Sequence, residues 1–228
     1  MLDRLARSRY AFPVAILAIA AVAGIVVLVI QSGGDDGGSD EQASCEEVQA
    51  PAPKEVSGLP APRERLDSGT TYAATVETNC GTFVIEVDQE ESPRTAASFV
   101  ALARDGFYDT LSFHRIAPGF VIQGGDPQGD GTGGPGYTVV GKPPASYHYR
   151  LGDVAMAKTQ AEPPGAAGSQ FFVISGSDGT NLQPEYGLLG HAGDQESLRT
   201  IKRIAALAVT DGAPSKPVWI VRARLERS

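Results

Sequence analysis

The sequence predicts a mainly β fold, a closed antiparallel barrel capped by two helices, preceded by one transmembrane helix and a tether. The first observation behind this prediction is an uncharged apolar run near the N-terminus, and the second is a polar, proline-containing stretch after it. The third is a series of short alternating segments separated by glycine-rich turns, with only two stretches of helical spacing. Many short strands with few helices are typical of a barrel.

The apolar run covers residues 10–30 and has the sequence YAFPVAILAIAAVAGIVVLVI. At about 1.5 Å per residue, a helix of this length spans a hydrocarbon core of roughly 30 Å, so residues 13–30 are expected to form a transmembrane anchor. Arginines precede the run and aspartates follow it. The positive-inside rule therefore makes residues 1–12 a cytoplasmic basic N-terminus and places the remainder outside the cell membrane. The alternative, a cleaved signal peptide, requires a shorter apolar region and a small-x-small cleavage site, and the residues Gln31-Ser32-Gly33-Gly34 after the run fit it poorly.

Residues 31–71 are expected to form a disordered or extended tether. They begin with QSGGDDGGSDEQ and contain four prolines, a composition too polar and too interrupted to bury a core. The chain has two cysteines, Cys45 in this tether and Cys80 at the start of the folded part. Outside the cytosol such a pair is more often a disulfide than two free thiols. The alternative is a mobile Cys45 and a Cys80 that is simply a small core residue.

Residues 72–228 carry the predicted folded domain. Alternating segments at 72–78 and 81–87 flank a short Asn-Cys-Gly turn and predict a hairpin. Ser92 as N-cap and Pro93 in the first turn predict a helix that ends near Asp105. The other predicted elements are strands at 111–116, 119–123, 136–140, 153–157, 170–175, 187–190 and 217–225, and a second helix at 196–204.

Charge and composition exclude several classes of function. A formal net charge of -8 argues against a nucleic-acid partner, because duplex binding usually requires a basic patch. The three histidines lack metal-ligand spacing, so no metal site is expected. The glycine-rich segments at 124–126 and 131–134 lack the lysine and helix start of a phosphate loop. We therefore expect no metal and no cofactor, and we expect a monomer.

A candidate site lies in residues 113–127, which have the sequence FHRIAPGFVIQGGDP. If the Pro-Gly turn keeps register, Arg115, Val121 and Gln123 lie close together with Phe120 beside them. A guanidinium next to an apolar patch can donate to one polar atom of a substrate. No carboxylate is evident beside Arg115. Taken alone, such an arginine is more often a surface residue whose stem covers apolar neighbours.

Six segments occur in the order and near-spacing of the cyclophilin family of peptidyl-prolyl cis-trans isomerases, which this chain resembles over roughly residues 72–225. The resemblance implies an eight-stranded barrel with two capping helices, and an enzyme that acts on X-Pro bonds of polypeptides. The six segments are FHR at 113–115, PGF at 118–120, QGGDP at 123–127, GTGGPGY at 131–137, MA at 156–157 and GSQFF at 168–172.

The resemblance also implies roles for single residues. Arg115 matches the family's catalytic arginine, Gln123 the glutamine that orients it, and Phe120 a part of the apolar floor beside it. Two positions depart from the family pattern: the family often has asparagine where this chain has Lys158, and histidine where it has Tyr186. The implied substrate-binding residues are Val121, Phe172 and Leu182 of the apolar floor, Tyr186 at its far wall, Ala157 and Lys158 along the peptide backbone, and Gly131, Thr132 and Gln170 of the neighbouring pocket.

A third departure concerns inhibitors. Drug-sensitive members of the family carry a tryptophan where this chain has Asn181. An indole supplies an N–H donor and a large contact area, so its loss removes much of a small interface. Weak binding of cyclosporin is therefore expected.

The chemistry implied for Arg115 needs no nucleophile, acid or metal. The barrier to rotation about an X-Pro bond is about 18 to 20 kcal/mol because the nitrogen lone pair is delocalised into the carbonyl. A donor aimed at the prolyl nitrogen favours the twisted state, in which that lone pair is localised. Two alternatives remain open: a module that binds proline-containing segments with little turnover, and a chaperone-like domain that uses its apolar surface.

Overall fold

The computed structural model describes residues 44–49, 52–56 and 58–228. All of them belong to one compact unit. The expected anchor at 13–30 and the basic residues before it lie outside the described residues. Within the described ranges, no helix combines the length and apolar character needed to cross a bilayer.

Ten strands, two α-helices and one 3₁₀ helix make up the domain. In chain order they are β1 (Tyr72–Thr78), β2 (Gly81–Val87), α1 (Pro93–Arg104), β3 (Arg115–Ala117), β4 (Val121–Gly124), β5 (Val139–Val140), β6 (Asp153–Met156), β7 (Ala166–Ala167), β8 (Phe171–Ile174), the 3₁₀ helix (Ser177–Asn181), β9 (Leu188–Ala192), α2 (Gln195–Ala205) and β10 (Ile220–Arg227). The predicted mainly β class, the first hairpin and both helices are confirmed.

Eight of the strands form one antiparallel sheet in the order β10-β1-β2-β9-β6-β8-β4-β3. The predicted strand at 136–140 shortens to β5, which pairs with β7 in a separate two-stranded sheet. Pro135 has no N–H to donate, and Gly136 has a positive φ of 86°, so the residues before β5 cannot continue a regular strand.

The sheet is an eight-stranded antiparallel half-barrel, so the strand number and the antiparallel arrangement implied by the resemblance are confirmed. Its edge strands β3 and β10 share no ladder. The residues beside them pair through the antiparallel bridge Ser112–Trp219 instead. Its backbone hydrogen bonds run from Phe113 N to Val218 O at 2.9 Å and from Ile220 N to Leu111 O at 2.7 Å, and a third joins Thr110 N to Ile220 O at 2.8 Å.

Two apolar clusters fill the domain. The larger contains Phe171, whose ring meets those of Phe99, Tyr108 and Phe113 edge-on at centroid distances of 6.3, 5.7 and 5.9 Å. Fully burying one such aromatic side chain stabilises the fold by about 1.5 to 3 kcal/mol. The smaller cluster lies under β4 and β8 and includes Val121 and Phe172. The candidate site lies against this smaller cluster.

The two helices begin differently. Asp194 caps α2, because its carboxylate accepts a hydrogen bond from Ser197 N at 2.7 Å. Ser92 occupies the N-cap position of α1, as predicted, but its side chain makes no capping bond. Its hydroxyl accepts instead from Leu188 N at 3.1 Å, so it links the start of α1 to β9. Burial of Ser92 beneath β9 explains the change of partner.

The described residues of 44–71 form a segment that we call the strap. The predicted disulfide between Cys45 and Cys80 is confirmed, and both cysteines are buried. Farther along the strap, the ammonium of Lys54 donates to Gly106 O at 2.8 Å and to Phe107 O at 2.9 Å. The described residues of the strap include no helix or strand before β1, and these contacts attach the strap to the domain.

Candidate active site

The β3–β4 hairpin brings the predicted catalytic residues together. Arg115 pairs with Gln123 across the hairpin, and Ala117 pairs with Val121. The Arg115 guanidinium donates from Nη1 to Gln123 Oε1 at 3.0 Å, and its carbon lies 6.0 Å from the centroid of the Phe120 ring. The turn therefore keeps the register that the sequence prediction required, and it places the guanidinium beside an aromatic face.

Gln123 is itself held by a chain of hydrogen bonds. Gln170 Nε2 donates to the carbonyls of Gly131 and Gly133, both at 2.9 Å. Its Oε1 then accepts from Gln123 Nε2 at 3.1 Å, which leaves Gln123 Oε1 to face Arg115. Because each amide has only one acceptor oxygen, these partners set the orientation of both glutamines.

A carboxylate that the sequence prediction did not find lies on the other side of Arg115. The Asp211 carboxylate accepts two hydrogen bonds from Arg115, from Nε to Oδ1 at 2.6 Å and from Nη2 to Oδ2 at 2.8 Å. The two residues are 96 positions apart in the chain. This hydrogen bonding to Arg115 lowers the pKa of Asp211 below its ordinary value. Three of the five guanidinium N–H groups are thus engaged, which leaves one each on Nη1 and Nη2 for other partners.

The apolar side of the site is built on the smaller cluster. Val121 and Phe172 are buried at 1% and 5% exposure and form its floor. The partly exposed side chains of Phe120, Leu182 and Tyr186 pack on this floor. The rings of Phe172 and Tyr186 meet at 5.4 Å and 85°. An apolar surface beside a few polar groups is the usual composition of a small-molecule binding site.

Tyr149 supports the Tyr186 wall and was not singled out from the sequence. Its hydroxyl donates to the backbone carbonyl of Tyr186 and accepts from Tyr186 N at 3.3 Å. Burial raises the pKa of Tyr149, so the hydroxyl stays protonated and remains a donor across the physiological range. No local pattern could reveal this contact, because the two tyrosines are 37 positions apart.

The segment 126–131 carries Gly131 to the site, and a buried aspartate shapes it. The Asp126 carboxylate accepts backbone hydrogen bonds from Gln128 at 2.9 Å, from Asp130 at 3.1 Å and from Gly131. Thr132 is exposed, and its hydroxyl bonds to Asp130 and Gln128. The structure thus brings Gly131 and Gln170 into the network of Arg115, but it directs the Thr132 hydroxyl into its own loop.

The remaining predicted residues lie at the rim. Ala157 packs against the smaller cluster, and its N–H donates to Gln170 O at 2.8 Å. The Lys158 ammonium lies 5.4 Å from the centroid of the Tyr186 ring. The Glu162 carboxylate accepts from Thr159 N at 2.7 Å and from the Thr159 hydroxyl at 2.9 Å. That carboxylate is therefore engaged within its own loop.

A cavity of about 430 Å³ extends from Arg115 away from the apolar floor. His114, Asp130 and Asp211 contribute its ionisable side chains besides Arg115. Burial lowers the pKa of His114, so its imidazole is neutral at pH 7. Among the residues that the structure describes, no group of three or more His, Cys, Asp or Glu side chains is arranged to hold a metal ion.

Comparison with known proteins decides the family. The model of the family "Cyclophilin type peptidyl-prolyl cis-trans isomerase/CLD" matches residues 73–225, which is more than half of the chain. The chain belongs to the cyclophilin family. This cyclophilin is accordingly a peptidyl-prolyl cis-trans isomerase, and the implied activity on X-Pro bonds is confirmed at the level of the family.

Relatives of this cyclophilin include bacterial enzymes. It is 38% identical to a peptidyl-prolyl cis-trans isomerase of Synechococcus elongatus over 131 residues, which cover 58% of this chain and 87% of the relative. It is 37% identical to peptidyl-prolyl cis-trans isomerase A of Mycobacterium tuberculosis over 172 residues, which cover 66% and 90%. A crystal structure of a cyclophilin-type isomerase of Cryptosporidium parvum has a TM-score of 0.60 at 30% identity, covering 68% of this chain and 98% of that chain.

Proposed function

We propose that this cyclophilin accelerates cis-trans exchange of X-Pro bonds in exported polypeptides, with Arg115 donating to the prolyl nitrogen. One observation carries the proposal: the Arg115 guanidinium has two N–H groups left over and lies beside the Phe120 ring at the edge of an apolar surface. A proline ring is apolar, and its nitrogen becomes a good hydrogen-bond acceptor only when the X-Pro bond twists. The two halves of the site match these two properties.

The proposed mechanism is differential stabilisation of the twisted amide. In the planar ground state the nitrogen lone pair is delocalised, so it is a poor acceptor. In the twisted state the lone pair is localised and can accept from an Arg115 N–H. This hydrogen bond forms only near the top of the barrier. It therefore lowers the barrier without stabilising the bound planar substrate equally. The apolar floor of Val121 and Phe172 holds the ring and excludes water.

An exchange assay on the full-length chain tests this proposal. Uncatalysed X-Pro exchange takes tens to hundreds of seconds, so acceleration is easily measured with a proline test peptide. The expected result is an exchange rate that rises in proportion to protein concentration. Saturable binding of the peptide without any acceleration would overturn the proposal and favour the binding module. Equal protection of unfolded clients with and without Arg115 would favour the chaperone-like domain.

Export and membrane anchoring form the second part of the proposal. The uncharged run at 10–30, the arginines before it and the Cys45–Cys80 disulfide support it, because disulfides persist in oxidising compartments. Alkaline phosphatase fused after residue 228 is expected to be active, and the chain is expected to sediment with membranes. An inactive fusion in the soluble cytoplasmic fraction would contradict this topology. A free, processed domain would indicate cleavage instead of anchoring.

Lys158 is expected to favour substrates with an acidic residue before proline. The ammonium lies over the Tyr186 ring at the rim, while the nearby Glu162 carboxylate is engaged by Thr159. An exposed ion pair contributes about 0.2 to 1 kcal/mol, so a peptide with glutamate before proline is expected to exceed its lysine counterpart in kcat/KM about two- to fivefold. Lys158→Asn should remove this difference, whereas Lys216→Asn, at an exposed lysine in the segment before β10, should keep it. An undiminished preference in Lys158→Asn would show that another group causes it.

Asn181→Trp is expected to raise affinity for cyclosporin. Asn181 ends the 3₁₀ helix next to Leu182 of the apolar surface, and its side chain is exposed. A tryptophan there adds contact area and an N–H donor, and a central aromatic anchor contributes enough for a gain of about tenfold or more. Calorimetry on the wild type, Asn181→Trp and Asn181→Ala measures the effect. Nanomolar binding by the wild type would contradict the expectation.

A further inference from the structure

Asp211 is delivered to Arg115 by the backbone. The segment between α2 and β10 pairs with β3 through one isolated bridge, in which Ile116 N donates to Gly212 O at 2.7 Å and Gly212 N donates to Ile116 O at 3.4 Å. Ile116 follows Arg115 in the chain, and Gly212 follows Asp211. The bridge therefore sets the separation of the two side chains, and their pairing does not depend on a chance meeting of two long flexible groups.

The guanidinium is held on two sides by different elements. The Asp211 carboxylate accepts from Nε and Nη2 in a bidentate contact, and Gln123 Oε1 accepts from Nη1 across the hairpin. Arginine is suited to such a contact because its N–H groups form a rigid planar fork. Because all three nitrogens of the guanidinium are hydrogen-bonded, the orientation of its plane is fixed. The remaining N–H groups on Nη1 and Nη2 then point in defined directions.

We propose that Asp211 is a positioning residue for the isomerase reaction, which holds the Arg115 guanidinium in the plane from which it donates to the prolyl nitrogen. This inference rests on the proposed role of Arg115. Asp211 itself touches no substrate in this scheme. It acts through Arg115, and Gln123 provides the second support.

An ordinary surface ion pair makes a different prediction. The side chains of Arg115 and Asp211 are 32% and 58% exposed, and pairs of this kind contribute little to stability. If the pair were an ordinary surface ion pair, its removal would change neither the fold nor the isomerisation rate. A positioning pair leaves stability almost unchanged but lowers the rate, because small displacements of a catalytic group are costly. A carboxylate that merely damps the charge of Arg115 would raise the rate on removal.

The test uses the full-length chain with Asp211→Asn, which keeps the size of the side chain but removes its charge and one acceptor oxygen. We expect kcat/KM to fall about tenfold, with most of the change in kcat, since the substrate's apolar contacts are untouched. Asp211→Glu should recover much of the loss because a carboxylate is restored. Asp105→Asn is the matched control: it removes the exposed Asp105–Arg104 pair on α1 and should change nothing.

Two further measurements show whether Asp211 acts through Arg115. In a double-mutant cycle, Asp211→Asn should cost little once Arg115→Lys has removed the planar fork. In a proton–nitrogen NMR spectrum, the Arg115 Nε–H signal, identified by its loss in Arg115→Lys, should shift and exchange faster with water in Asp211→Asn. Additive losses, or an unchanged signal, would overturn the inference, as would unchanged or raised kcat/KM in Asp211→Asn.

The outcomes separate this inference from the proposed function. If Arg115→Lys retains full activity, the role of Arg115 itself fails, and with it the role of Asp211. If Arg115→Lys is impaired while Asp211→Asn turns over at the wild-type rate, only the positioning role fails. The Asp105→Asn control identifies any general effect of removing a surface carboxylate.

Discussion

We expect Arg115→Ala to lower kcat/KM for a proline test peptide by about 100-fold or more. The loss of one preorganised hydrogen-bond donor to a transition state commonly has an effect of this size. The loss should lie mainly in kcat, because the apolar floor of Val121 and Phe172 still holds the proline ring. The unfolding midpoint should change little, since Arg115 is partly exposed and its partner Asp211 is more so. Exchange kinetics and thermal unfolding on the same preparation measure both quantities.

Two variants make this result specific. Arg115→Lys keeps the positive charge but cannot hold Asp211 and Gln123 together, so an intermediate rate is expected. Arg104→Ala removes an equally charged side chain from α1, where it pairs only with its neighbour Asp105 in the described structure, and should leave the rate unchanged. Near-normal turnover by Arg115→Ala would refute the assignment of Arg115 as the donor.

The second large effect concerns stability. The Cys45–Cys80 disulfide closes a loop with a sequence separation of 35. In the chain-entropy model such a cross-link stabilises a fold by about 4 kcal/mol, and measured values are commonly about 2 to 4 kcal/mol. Replacing both cysteines with serine is therefore expected to lower the free energy of unfolding by that amount. Denaturant unfolding of the oxidised wild type and the double variant measures the difference.

Activity should survive this change while stability falls. Cys45 and Cys80 belong to the larger apolar cluster, whereas the floor of the site belongs to the smaller one. Below the unfolding transition, kcat/KM of the double variant should equal that of the wild type. Ser44→Ala, a conservative exchange at the exposed neighbour of Cys45, should alter neither quantity. If reductant leaves the unfolding curve of the wild type unchanged, the strap and not the cross-link accounts for the stability.

Local patterns in the sequence predicted much of the candidate site. Strand alternation and a Pro-Gly turn are short-range signals, and together they predicted that Arg115 and Gln123 would face one another, as they do at 3.0 Å. The same signals placed Phe120 and Val121 beside Arg115, whereas the apolar residues at 172, 182 and 186 came from the family resemblance. The structure gathers all five in one cluster. Their roles in binding stay predictions.

The failures of prediction share a physical cause. Asp211 and Tyr149 act through contacts 96 and 37 positions away in sequence, and no periodicity connects such pairs. Ser92 has the right residue type for a cap, yet β9 packs close enough to take its hydroxyl. The meeting of the two sheet edges likewise depends on distant segments, because the bridge Ser112–Trp219 joins residues far apart in the chain.

The sequence by itself determined the mainly β class, the helices, the hairpin that carries Arg115 and the family, because these depend on local alternation, turn residues and ordered motifs. Only the tertiary structure decided which partners hold Arg115, which tyrosine supports the wall and how far the sheet closes. Those features depend on the approach of distant segments, such as the Ile116–Gly212 bridge that brings Asp211 to the guanidinium. These contacts come from packing and backbone pairing between segments that are far apart in the sequence.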